Sequence, residues 1–105
     1  MTKKKLPIEC GEGWHDIVWA CHRELFRIDP DYQPLQIKEK FGGLRYYFNS
    51  SHRDKEIMNM VVDKYEKQSF SICEECGEPG VTARGTTTRW IKTLCAKHRG
   101  IEEDE

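Results

Sequence analysis

Two pairs of metal-binding side chains, each with two residues between its members, constrain this chain more than anything else in its sequence. Cys73 and Cys76 form the first pair, Cys95 and His98 the second, and 18 residues separate Cys76 from Cys95. Such spacing lets each pair project from one tight turn, so that four donors converge on a tetrahedral zinc ion. Gly77 follows the first pair where a knuckle needs a backbone tolerant of positive φ, and Pro79-Gly80 adds a further turn. The reading is one Cys3His site for a single structural Zn2+. A redox Cys-x-x-Cys would explain Cys73 and Cys76 but leave Cys95 and His98 without a role. With four protein ligands the shell is closed, no position remains for an activated water, and catalysis is not expected. Three thiolates outweigh the metal by one negative charge, which Arg84, Arg89, Lys92, Lys97 and Arg99 lie near enough in sequence to offset.

A chain of 105 residues is the size of one domain, with a core modest enough that a metal clip adds substantially to stability. The expected organisation is an N-terminal tail over 1–9, a helix–hairpin–helix part over 10–70, a zinc unit over 71–100 and an acidic tail over 101–105. No run approaches the ~18 apolar residues of a membrane span. Lys3, Lys4 and Lys5 begin like a signal peptide, but Leu6-Pro7-Ile8-Glu9 supplies no apolar core after them, so export is not expected. Five cysteines then suggest a reducing compartment, with thiols kept for metal. A net charge of −1 excludes a generally basic nucleic-acid binder. Removing the four acids of the tail, Glu102 to Glu105, leaves +3, three of it from Lys3, Lys4 and Lys5, so any nucleic-acid contact is a local patch.

Over 13–28, Trp14, Ile17, Val18, Cys21, Leu25 and Ile28 recur at three- and four-residue steps and make one apolar helix stripe. Asp29-Pro30 ends the helix. His15, Trp19, His22 and Phe26 form a second stripe beside the first, expected to be buried as well, while Asp16, Arg23 and Arg27 fall on the far side. Cys10 and Cys21 have no paired spacing to the histidines and read as small buried hydrophobes. Two alternating runs around Gly42-Gly43 predict a β-hairpin, with Ile37, Phe41, Leu44, Tyr46 and Phe48 on its covered face. Lys38, Lys40, Arg45 and Tyr47 then face outward. Ser51, with Asp54 three residues on, is placed as the N-cap of a second helix ending near Gln68. Its core stripe is expected to be Ile57, Met60, Val61 and Tyr65, flanked by Met58 and Val62.

The zinc unit follows. Residues 81–84 and 89–93 can pair as a second hairpin, and Cys95 to His98 sit in a turn or at the start of a short helix. Knuckle, hairpin and a ligand pair at a helix start is the order of a treble-clef finger, with the zinc ribbon as near neighbour. The fold class is therefore a small α+β domain with a C-terminal Cys3His unit. Arg84, Arg89, Trp90 and Lys92, together with Lys38, Lys40 and Arg45, are the candidate binding surface.

Gly13-Trp14-His15-Asp16, the stretch from Gln36 to Tyr46 around Phe41-Gly42-Gly43, the Cys73 to Gly80 knuckle and the Trp90 to His98 segment resemble a group of small uncharacterised zinc-binding proteins carried by bacteriophages and prophages. The likeness spans roughly residues 10–98 and implies a phage or bacterial origin and action in the bacterial cytoplasm. A shorter likeness, over 73–98, is to the zinc finger of the DksA and TraR regulators of bacterial RNA polymerase, through Cys73, Cys76, Gly77, Ala83-Arg84 and Thr93-Leu94-Cys95. Here the fourth ligand is His98 rather than Cys, and no long helical hairpin with an acidic tip accompanies the finger. The expected function is a zinc-stabilised module that binds a bacterial host protein as a regulator or inhibitor; the alternative is a nucleic-acid-binding finger using the basic and aromatic hairpin faces. No nucleophile and base stand at telling spacing, there is no phosphate loop, and Ser51-His52 is a dipeptide rather than a dyad. Neither a small-molecule substrate nor a membrane partner is expected.

Overall fold

The computed structural model describes residues 6–84 and 90–103. A 3-10 turn, Glu12–Trp14, leads into α1, His15–Ile28; β1, Gln33–Lys40, and β2, Gly43–Asn49, form the first hairpin; α2 is Lys55–Ser69. The second hairpin is β3, Val81–Arg84, with β4, Ile91–Leu94, and α3, Ala96–Glu103, follows. Both two-stranded sheets are antiparallel. This is the α+β order that the sequence predicts, and α3 carries the helix into the stretch read as an acidic tail.

Alternation sorts the first hairpin. Ile37, Leu44 and Tyr46 turn inward and are buried; Trp14 of the 3-10 turn and Val18, Cys21 and Leu25 of α1 pack in the same core, and α2 adds Met58 and Val62. Both hairpin edges are covered. Leu6, Ile8 and Cys10 pack against the core, Glu9 N–H donates to Ile37 O and Ile37 N–H to Pro7 O, so 6–9 is a strand-like cover for β1 and not a tail. On the other edge two α2 side chains accept from β2: Glu66 Oε2 from Tyr46 N–H and Ser69 Oγ from Leu44 N–H, each at 2.8 Å. Burying backbone donors without partners is costly, so these two contacts fix how α2 is rolled.

That roll corrects the expected stripe on α2. Met58, Val62 and Ser69 are buried, whereas Ile57 and Met60 are 51% and 70% exposed. The helix also starts later than expected. Ser50, not Ser51, makes the turn, donating to Asp29 Oδ2 and accepting from His52 N–H, and Asp54 stands at the cap position with no side-chain cap bond.

Two further expectations are corrected. The second stripe of α1 is not buried as a unit: His22 is buried, with Nδ1 2.6 Å from Tyr32 Oη, but Trp19 and Phe26 are 36% and 41% exposed. Phe41 is not on the covered face either. Lys40 pairs with Gly43, so the two-residue turn is Phe41-Gly42, at φ of 54° and 84°, and Phe41 is 65% exposed. Gly43 instead sits in β2, where the Phe70 ring lies against it and leaves no room for a Cβ.

Candidate metal centre

The metal unit is built from two turns. In the first, Cys73 N–H donates to Glu78 O, Gly77 N–H to Cys73 O, and Gly77 takes φ of 84°, folding 73–78 into a knuckle. In the second, β4 ends at Leu94 and α3 begins at Ala96, so Cys95 and His98 flank the first helical turn. Arg99 locks the two strands behind it through Nη2, which donates to Val81 O and Lys92 O.

Cys73, Cys76, Cys95 and His98 converge, with all four ligand atoms within 4.8 Å of one another. Cys76 Sγ lies 3.7 Å from Cys95 Sγ, and His98 Nδ1 lies 3.6 Å from Cys73 Sγ and 3.2 Å from Cys95 Sγ. A tetrahedral ion with bonds of about 2.3 Å to sulfur separates its sulfur donors by roughly 3.8 Å, so the cluster fits a four-coordinate metal ion. Cys73 is buried, Cys95 and His98 are half-buried, and Cys76 is exposed.

The electrostatics suit a cation. Burial works against the Cys73 thiolate, but the N–H groups of Cys95, Cys76 and Glu75 outweigh it and hold its pKa below the usual thiol value. The His98 N–H, at the start of α3, does the same for Cys95. At Cys76 the Glu78 N–H favours the thiolate, but desolvation and the neighbouring Cys73 and Cys95 sulfurs outweigh it, and the pKa is raised. Cys10 and Cys21 differ: burial pushes their thiols up to about 11 and about 12, as suits small apolar residues. Each ligand proton must leave for metal to bind. Bound metal is therefore expected to weaken as pH falls, by up to about a thousandfold per unit once all three thiols are protonated, in a pH titration against a chromophoric chelator.

The knuckle is seated on the rest of the chain through residues that spacing did not single out. Gly13 N–H donates to Glu74 O at 2.7 Å, Gly11 N–H to Glu74 Oε2 at 2.9 Å and Trp14 Nε1 to Ile72 O at 2.8 Å. Glu74 is buried, which holds its carboxyl above the usual value. Thr93 Oγ1 donates to Gly42 O at 2.6 Å, joining the second hairpin to the turn of the first. Only the Gly-Trp pair before α1 gave a sequence signal for these contacts; nothing distinguishes Glu74 from Glu75.

The expected binding surface divides. Lys38 stands directly opposite Arg45 on the outward face of β1–β2, with Lys40 at the end of the same face. In β3–β4, Arg84 pairs with Ile91 and Lys92 with Ala83, which puts Arg84 and Lys92 on opposite faces. Lys92 lies close enough to Glu74 to favour its carboxylate. Trp90 is 68% exposed. Arg89 lies outside the described residues.

No protein-family model, curated protein or solved structure matches the chain. The Cys3His cluster is therefore the firmest guide to what the protein does. Among the described residues no helix is long and apolar enough to cross a membrane.

Proposed function

We propose that this protein is a zinc-stabilised interaction module, phage- or prophage-encoded, that binds a bacterial host protein in the cytoplasm as a regulator or inhibitor. The closed donor set carries the reading. Three soft thiolates and one imidazole at tetrahedral spacing favour Zn2+, and once they hold it no coordination position is left for water or substrate. Zinc then braces surfaces rather than performing chemistry, and we read the protein as a non-enzyme.

Exposed Phe41, Val81 and Trp90 around the metal unit supply the large apolar contacts that protein interfaces favour. Phe41 is informative because a bulky residue at positive φ costs roughly 1–2 kcal/mol, which a fold has no reason to retain on an exposed tip. Phe41→Asn is expected to raise stability by about 1 kcal/mol in urea unfolding while weakening partner binding.

Nucleic-acid binding is the second reading, favoured by one observation. Lys38 and Arg45 face each other across the sheet, where like charges repel, and no described carboxylate is within ion-pairing distance of either. A phosphate backbone would relieve them. Affinity capture from bacterial lysate with the zinc-loaded protein, with and without nuclease, tests both. Nuclease-resistant capture of a protein supports the first reading; capture abolished by nuclease, with binding that falls steeply with salt, replaces it by the second.

A further inference from the structure

The far end of α1 carries a feature that the metal unit does not use. His22, Arg23, Phe26, Arg27 and Pro30 line an open hollow of about 440 Å³. Its aromatic wall is held in place: His22 is anchored on Tyr32, and its ring lies 5.8 Å from that of Phe26 and 5.6 Å from that of Trp19. A buried, hydrogen-bonded imidazole behind a part-exposed phenyl ring gives a surface that needs little ordering to bind. The knuckle meets α1 at Gly13 and Trp14, so about 20 Å of helix separates the hollow from the metal.

Arg23 and Arg27 stand one helical turn apart at its rim, and neither forms an ion pair or hydrogen bond with a described residue. The nearby acids are otherwise engaged. Glu24 accepts from Lys64 Nζ and Tyr65 Oη, and Asp29 from Ser50 Oγ and Asp31 N–H. Glu24, whose carboxylate is favoured chiefly by Tyr65 and Lys64, also feels Arg27 without pairing with it, so the rim offers two exposed guanidiniums that no described carboxylate holds, beside an apolar floor, a combination enriched at the centres of protein interfaces.

We propose that this hollow is a second docking point for the partner, apart from the contacts at Phe41, Val81 and Trp90: it takes a protein segment that places one bulky apolar side chain against Phe26 and Pro30 and carboxylates on Arg23 and Arg27. The proposal rests on the reading of the protein as an interaction module. Acidic protein is favoured over nucleic acid because exposed Asp16 and Asp31 lie beyond the two arginines at either end. A phosphodiester chain carries charge at every step and would run past one of them, whereas a peptide can confine its carboxylates to the guanidiniums.

Fluorescence anisotropy with the zinc-loaded full chain tests it. The probes are three labelled peptides of one length with a central Phe, flanked by Glu and Asp, by Gln and Asn, or by Lys, and a mixed-sequence single-stranded DNA. Wild type is expected to bind the acidic peptide at least about tenfold more tightly than the neutral one. Arg23→Glu with Arg27→Glu is expected to lose that preference and gain the lysine peptide, and Phe26→Ala to lose about tenfold for the acidic peptide. All three substitutions are at exposed positions, and far-UV circular dichroism verifies that the fold is kept. Equal binding of acidic and neutral peptides by wild type, retention of the acidic peptide by the double variant, or preferred binding of the DNA overturns the proposal. Lysate capture with the same two proteins separates the failures. A host protein held equally by both sinks the docking site and leaves the module; capture by neither sinks both.

Discussion

Removing the metal with a chelator, or replacing Cys73 by Ala, is expected to unfold α1 and the first hairpin together with the metal unit, in one transition. Metal in a structural thiolate site contributes roughly 10–16 kcal/mol of apparent free energy, whereas a domain of this size has a net stability of about 5–15 kcal/mol. The loss can therefore exceed the whole margin. It is also transmitted. Trp14, buried at the head of α1, gives its indole N–H to Ile72 O, one residue from Cys73; Gly13 N–H is held by Glu74 O; the turn of the first hairpin is held by Thr93. The effect should be graded by burial: Cys73→Ala strips a buried sulfur from three backbone N–H groups, His98→Ala removes a half-buried ligand, and Cys76→Ser alters an exposed one. Hydrogen exchange and tryptophan fluorescence during chelator titration measure this. Persistent protection of α1 amides after the 73–98 segment has opened would show two independent units instead.

Much of this architecture is legible in the sequence because it is periodic or paired. The first stripe of α1 repeats at helical spacing, and Trp14, Val18, Cys21 and Leu25 are all buried. The outward Lys38, Lys40 and Arg45 follow from alternation, and the four ligands from their two-residue spacing. What was not legible depends on side chains that meet backbone from distant elements. The roll of α2 is set by Glu66 and Ser69 accepting from β2, and a polar residue at the edge of a helical stripe carries no mark of that use. Periodicity therefore placed Ile57 and Met60 one position into the core. Phe41 misled for a related reason: an apolar residue at the end of an alternating run reads as covered, but a two-residue turn takes it for the tip and moves Gly43 into the strand. His22 is buried where Trp19 and Phe26 are part-exposed, and its hydrogen bond to Tyr32 is a contact that spacing cannot express.

Gly13→Ala is the other substitution expected to have a large effect, although Gly13 is neither a ligand nor at an unusual φ. A Cβ there would overlap Cys73 O and lie 2.5 Å from Gly77 N and 2.6 Å from Glu74 O. All three are backbone atoms of the knuckle, so no side chain can swing aside; either the start of α1 or the metal-binding turn must move. Overpacking against fixed backbone costs about 3 kcal/mol or more, and here it falls on the turn that positions Cys73 and Cys76. The variant is expected to lose stability by that amount in urea unfolding and to bind metal about 10- to 100-fold more weakly in competition with a chelator. Excess metal should recover part of the lost stability, since ligand favouring the folded state stabilises it by mass action. Gly42→Ala is the control. It forces a Cβ to φ of 84° with Ile91 and Thr82 side-chain atoms at 3.0 Å, costing about 1–2 kcal/mol at a turn joined to the second hairpin and not to the knuckle, so metal affinity should fall less than in Gly13→Ala. If Gly13→Ala kept wild-type metal affinity, the knuckle would not be seated on α1, and the transmission of metal loss into the core would fail with it.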